Sequence, residues 1–395
     1  MNTVETASAV MFWVCAALVC YAYLVYPLLI WGLARWFGRQ GEIPASDGEL
    51  PTVSLLIAAH NEEAEIEKRI QTALLMDYPA DRLDIVVASD GSSDGTAEIV
   101  RRYAGRGIRL LDYSERQGKA AVLNSAFAEL SGEIVLLSDA NTQTDPAALR
   151  KIVRWFRQPA VGVVCGRLVL TDPRTGRNVD SLYWRYETFL KRCEGRLGAL
   201  LGSNGAIYAI RRALFAPVPS GTIADDLVIP LQARLRTGCK IIYEYEAVAW
   251  EETPPDIRSE FRRRSRIGAG GFQSIGLLWP LLDPRRGWVA FTFLSHKIAR
   301  WLCPFFLLGA LAASLVLWDL PFYSSALVGQ LGFYPASLLT AFMPPRPRFL
   351  KPLRLTGMFT GMNAALLVGF CRWVWGNQTG SWERTVRLPE TEGVH

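Results

Sequence analysis

No two of the seven cysteines stand at a metal-ligand or redox spacing: Cys15, Cys20, Cys303 and Cys371 fall inside apolar runs, while Cys165, Cys193 and Cys239 are isolated. That pattern argues against a cysteine metal centre and a disulfide framework, and the seven read as buried reduced thiols. Charge is absent between Thr6 and Arg35. The gap leaves about 28 residues where a bilayer crossing needs roughly 20. The apolar run 7–38 is too long for a signal peptide and lacks a basic leader and a small-residue cleavage site, so it is expected to persist as an anchor. Paired repeats are missing as well, which weighs against a transporter. The net charge of +6 is spread along the chain and gathers near membrane-flanking positions. Attraction to anionic lipid accounts for it better than nucleic acid does, so no nucleic-acid partner is expected.

Three further apolar segments follow a soluble middle: 298–317, 322–343 and 355–374. His296, Lys297 and Arg300 at the start of the first suit the headgroup layer. Arg35 and Arg39 flank the N-terminal run, and Arg346, Arg348, Lys351 and Arg354 follow the third, so both loops and the central domain are expected in the cytoplasm of a multi-pass inner-membrane protein. Four crossings would leave the C-terminus outside. The tail at 382–390, with Arg384 and Arg387, favours the inside, which is met if 322–343, with Pro335 in it, re-enters. The expected division is an anchor and linker at 1–48, a catalytic domain at 49–255, an amphipathic interfacial region at 256–286, membrane helices at 287–377 and a tail at 378–395.

Within the central domain, strands and helices alternate: "VSLLIAAH", "LDIVVASD", "IRLLDY" and "EIVLLSD" are strand-length runs separated by helical spacing. Runs that are apolar throughout predict an α/β fold with a mostly parallel sheet covered by helices on both faces. Ligands bind such sheets at the carboxyl ends of the strands. His60, Asn61 and Glu62 follow the first strand, Asp90 ends the second, and Asp139 and Asn141 follow the fourth. Each alone reads as a turn or cap, as Asp94 with Thr96 does, but their agreement in position points to one site. The later part reads as strand "VGVVCGRLVLT", amphipathic helix "YWRYETFLKRCEGRL", strand "NGAIYAIRR" after the 202–205 turn, helix "DDLVIPLQARLRTG", strand "KIIYEYEAVAWE" and a basic helix over 256–282.

Several acids with no evident Cys or His nucleophile suit a phosphate-bearing substrate and a divalent cation, since hard cations take oxygen ligands. Asp139 and Asn141, two apart across a turn, can both face such a cation, Mg2+ or Mn2+. Lys119, after Gly118 at a helix start, adds charge where backbone donors already favour phosphate.

The ordered set "VSLLIAAHNEE", "SDGSSDGT", "RQGKAAVLN", "LLSDANT", "GSNGAIYAIRR", "ADD" and "RRRSR" resembles the membrane-embedded family 2 glycosyltransferases, inverting enzymes that include cellulose, hyaluronan and poly-N-acetylglucosamine synthases. The resemblance covers about residues 50–271 and implies a nucleotide-sugar-binding A-type domain flanked by transmembrane helices. It implies a UDP-sugar donor, contacted by Ala59, His60, Glu62, Asp90, Lys119 and Asp139. Asp139 matches the first Asp of the family's Asp-x-Asp metal motif, and Asn141 stands where the second is usual. Asp226 matches the general base. Asp225 beside it reads as an N-terminal cap facing elsewhere, and with Gly202, Ser203 and Asn204 it is assigned to the acceptor side. The "RRRSRIG" run reads as a membrane-surface helix by itself; the resemblance makes Arg263 and Arg266 diphosphate ligands. Ile267 replaces the usual Trp, which weakens the case for a processive polymer synthase. The implied acceptor is a growing polysaccharide, or alternatively a membrane lipid that receives one sugar.

Overall fold

A computed structural model describes residues 2–39, 41–44, 48–172, 182–253, 256–340 and 351–376. Arg346, Arg348 and the 382–390 tail, on which part of the expected orientation rests, lie outside them.

Eight strands form one sheet: β1 (Val53–Ala59), β2 (Leu83–Asp90), β3 (Ile108–Tyr113), β4 (Ile134–Asp139), β5 (Gln143–Thr144), β6 (Val161–Thr171), β7 (Tyr208–Arg211) and β8 (Lys240–Glu252). Their spatial order is β3-β2-β1-β4-β7-β6-β8-β5. The first four are parallel, as the continuous apolar runs require. One face carries Leu56, Ala58, Val86 and Leu137 against Leu123, Phe127 and Leu231, and the other carries Leu55, Ile57, Val87 and Leu136 against Ile66, Ile70 and Ile152. Burial on both faces is why no polar alternation marks these strands. The remaining sheet is mixed: β7 runs antiparallel to both β4 and β6, β6 and β8 are parallel, and β5 is antiparallel to β8. A two-residue strand such as β5 leaves no periodic signal to read.

Among the described residues, two helices are long and apolar enough to cross a membrane, Thr3–Trp36 and Trp288–Val316. Each carries a π-helical segment, Tyr21–Val25 in the first and Phe293–Ile298 in the second. They pack through Phe12 and Cys15 against Ala310 and Ala313. The other two expected spans form helices, Pro321–Leu339 and Lys351–Val374, that are long enough but less apolar. Pro335 sits inside a continuous helix, so the chain does not break there. The basic helix Ile257–Leu278 lies against Lys351–Val374. All seven cysteines are free, but Cys20 is exposed and Cys371 only half-buried, against the expectation of uniform burial.

His296 and Arg300 do not face outward from the helix bundle. They are 2% and 9% exposed, enclosed against the helix Leu182–Arg196. His296 donates through Nδ1 to Glu194 Oε1 at 2.6 Å, the Tyr26 hydroxyl donates to the same oxygen at 2.7 Å, and Arg300 pairs with Glu187 Oε1 at 2.6 Å. Arg300 also donates to His296 Nε2 at 3.0 Å, which fits the Nδ1–H tautomer. Glu187 and Glu194 stand two helical turns apart, hence on one face. Their partners lie more than a hundred residues away in the chain, so the helix's own sequence carries no sign of them. Burial opposes ionisation of Glu187, but the Arg300 guanidinium, helped by Lys297, holds its carboxyl well below its ordinary value.

Candidate active site

The register places three strand ends in one row. Ala59 pairs with Ser89, one residue before Asp90, and Ala58 pairs with Asp139. Sheet order reverses between β1 and β4, so a crevice opens there.

Loops on the β1–β2 side are fastened to each other. Asn61 takes the left-handed conformation at φ 55°, which asparagine tolerates. Its side-chain oxygen accepts from the Ser93 N–H at 2.8 Å, its own N–H donates to Ser92 Oγ at 3.2 Å, and the Glu62 N–H donates to Thr96 Oγ1 at 2.8 Å. Asp94 Oδ1 accepts from the Thr96 N–H at 3.0 Å, a turn bond rather than a cap, since the cap position of Thr96–Arg102 is Gly95. His60 donates from Nδ1 to the Asp90 carbonyl at 2.6 Å. Asp90 is 1% exposed, and its carboxylate accepts from the N–H groups of Gln117 at 2.6 Å and Gly118 at 2.9 Å. Asp90 therefore anchors the loop that delivers Lys119.

Lys119, the first residue of the helix Lys119–Ala128, reaches Asp139 Oδ1 at 2.7 Å and Asp225 Oδ2 at 3.4 Å. Burial favours its neutral form, but Asp139, Asp225 and Asp226 outweigh this and hold the ammonium above its ordinary pKa. The expectation that Asp225 caps its helix and faces elsewhere is corrected here. The cap position of Asp225–Thr237 is Ala224, with no side-chain bond, and the Asp225 side chain turns into the Lys119 cluster. Asp226 is half-buried beside it, and burial, reinforced by the Asp225 charge, pushes its carboxyl up to about 6.

The 202–205 turn positions this cluster. Ser203 donates from both its N–H, at 3.0 Å, and its hydroxyl, at 2.7 Å, to the Asp226 carbonyl. Asn204 donates to the Gly166 carbonyl at 2.9 Å and accepts from the Ile207 N–H at 3.1 Å, while Gly202 is left-handed at φ 75°. Gly205 approaches so closely that a Cβ there would lie 2.6 Å from Asp139 Oδ2. Gly205→Ala is therefore expected to displace the Asp139 carboxylate and lower turnover about 100-fold. The check is kcat measured beside a melting curve showing that the variant folds.

Two residues had no signal in the sequence. Tyr208, in the apolar β7 run, is 1% exposed, and its hydroxyl has no hydrogen-bond partner among the described residues; it lines the small cleft formed by Lys119, Asp139 and Asp225. Arg69, equally buried, donates from Nη1 to Thr72 Oγ1 at 3.3 Å, while Nε and Nη2 find no partner. Burial lowers its pKa to about 10, against the pull of Asp139. Among the described residues no group of three His, Cys, Asp or Glu side chains is placed to hold a metal. Asp139 is about a third exposed, and the Asn141 carboxamide makes no hydrogen bond among the described residues.

On the basic helix, Gly270 and Gln273 meet the start of Asp225–Thr237: Gln273 accepts from the Ile223 N–H at 2.9 Å, and Gly270 lies against Ala224. Arg266 and Arg263 precede Gly270 by one and two turns on that face. Arg263 is held by Glu260 at 2.9 Å.

A sheet that reverses order beside a lysine–carboxylate cluster at its strand ends, carried by apolar helices, defines an A-type glycosyltransferase fold. Residues 54–215 match the family model described as glycosyl transferase family 2. It is 28% identical over 237 residues to a probable glycosyltransferase of Bacillus subtilis, covering 56% of each chain. It is 25% identical over 264 residues to a poly-beta-1,6-N-acetyl-D-glucosamine synthase of Staphylococcus epidermidis, covering 63% of this chain and 62% of that one. The match thus spans less than two thirds of the length of these relatives. A mannosyltransferase of Pyrobaculum calidifontis, solved with GDP-mannose and Mn2+, shares the fold with a TM-score of 0.70 at 24% identity, covering 93% of this chain and 99% of that chain.

Proposed function

We propose that the chain is an inverting hexosyltransferase that moves a hexose or N-acetylhexosamine from a UDP-sugar to a growing polysaccharide at the inner membrane. The observation that carries this reading is the Lys119–Asp139–Asp225 cluster, with Asp226 beside it, at the β1/β4 switch point. The synthase relative supports the polymer product, and the two long apolar helices support the membrane location, with the catalytic domain cytoplasmic.

In this mechanism the acceptor hydroxyl oxygen attacks the anomeric carbon in line, and Asp226 takes its proton. The carbon–oxygen bond to the diphosphate breaks, and UDP leaves with the electron pair. Lys119 and Arg266 offset the charge on that leaving group, while Ala59, His60, Glu62 and Asp90 form the nucleotide side. Ser203 and Asn204 hold the turn on the acceptor side. A divalent cation, Mg2+ or Mn2+, fits hard oxygen donors such as Asp139 and Asn141 and would supply Lewis-acid stabilisation of the diphosphate. With so few donors from the chain, the donor's phosphates and water would complete its shell.

One observation favours the alternative of a single sugar added to a membrane lipid: Ile267, where the polymer synthases have Trp, is half exposed and lines a cavity beside the apolar helices. Purified protein given a panel of nucleotide sugars is expected to release UDP from one UDP-hexose class, at least about tenfold faster with Mg2+ or Mn2+ than with chelator. A ladder of labelled oligomers supports the polymer, and a single labelled glycolipid the alternative. No UDP release from any UDP-sugar would sink the assignment.

A further inference from the structure

Between the basic helix Ile257–Leu278 and the helices Trp288–Val316 and Lys351–Val374 lies a cavity of about 180 Å³, apart from the crevice. Four cations line it, Arg263, Arg264, Lys297 and Arg300, with one carboxylate, Glu187. Arg263 and Arg264 rest on Glu260 at 2.9 and 2.6 Å, and Arg300 rests on Glu187. Lys297 makes no hydrogen bond or ion pair among the described residues. Beside His296 and Tyr23, the rest of the wall is apolar or aromatic, with Trp301, Ile267 and Leu366 in it.

A lone anion would answer the cations and leave the apolar wall wet. A neutral lipid would cover that wall and leave the four cations facing the single Glu187 carboxylate, which Arg300 already engages. A phosphate attached to an apolar chain answers both requirements, with the phosphate at the cations and the chain along Ile267 and Leu366. The setting agrees, because one wall belongs to a helix long and apolar enough to cross a bilayer. We propose that this cavity binds the phosphate group of a membrane lipid. From Arg264 to Gly270 the basic helix advances about 9 Å. Gly270 lies against Ala224, next to Asp225 and Asp226, so a lipid held here brings its head group toward the crevice. Use of that lipid as acceptor rests on the transfer reading; its binding does not.

The test titrates the full-length protein in dodecyl maltoside, which carries no phosphate, with short-chain phosphatidic acid, citronellyl phosphate and inorganic phosphate, without sugar donor. Both lipid phosphates are expected to bind at least tenfold more tightly than inorganic phosphate, and the tighter of the two identifies an acyl or a prenyl source. Lys297→Gln and Ile267→Asp, which alter opposite walls, are each expected to weaken lipid binding at least tenfold. Inorganic phosphate binding as tightly as the lipids would overturn the proposal, as would unchanged lipid affinity in both variants. UDP release, measured separately with donor, reports on the transfer reading alone.

Discussion

Asp226→Asn is expected to lower turnover about 1,000-fold, within the range a positioned base contributes, while the donor KM changes little. Wild-type kcat should fall about tenfold per pH unit below about 6, the value to which burial and Asp225 push the Asp226 carboxyl, and the residual rate of the variant should be flat. The same shift fixes a stability effect. A carboxyl with a folded pKa above its unfolded value of 3.8 is more readily protonated in the native state. Its ionised form therefore destabilises the fold at neutral pH, and this cost fades as pH falls through about 6 and is gone below about 4. Asp226→Asn should accordingly melt higher than wild type at pH 8, by about 1–3 kcal/mol of stability, and no higher at pH 4. A variant that keeps full activity would transfer the role of base to Asp225.

The other large effect is expected at Glu194. Its carboxylate accepts from Tyr26 and from His296, all three buried. Glu194→Ala leaves both donors without a partner and should cost about 3–5 kcal/mol. Glu194→Gln keeps an acceptor in place and should cost about 1 kcal/mol. Melting curves in one detergent, with both variants beside wild type, check this. Equal and small shifts would mean that the network contributes little.

The two cases differ in how far the residues announced themselves. Strands β1, β2 and β4 could be read because burial on both faces gives unbroken apolar runs, and the acids at their ends followed from that placement. The family resemblance added Asp226 from its position before a helix. Where Asp225 points could not be read, because its direction depends on Lys119, a residue 106 positions earlier in the chain. The close approach of Gly205 to Asp139, and the unpartnered Tyr208 hydroxyl in an apolar strand, likewise exist only once β7 lies beside β4. The enclosure of His296 and Arg300 was hidden for the same reason. A charge at the edge of an apolar run suggests lipid headgroups when its counter-charges lie on another helix.

The two π segments give that polar junction a further meaning. Tyr21 of one and Ser295 of the other are hydrogen-bonded at 2.7 Å, so the widened turns meet at one level. An extra residue in a turn advances the helical phase by about 100°. The stripe that faces the neighbouring apolar helix near Phe12 is thereby turned, a few residues on, toward Glu194. Glu187 and Glu194 fall inside 49–255, whereas Tyr26, His296 and Arg300 fall outside it. A truncation to 49–255 would thus carry away two buried carboxylates and leave behind Tyr26, His296 and Arg300, which bond to them. The excised fragment would be expected to aggregate or unfold, even though its sheet and crevice residues are all present.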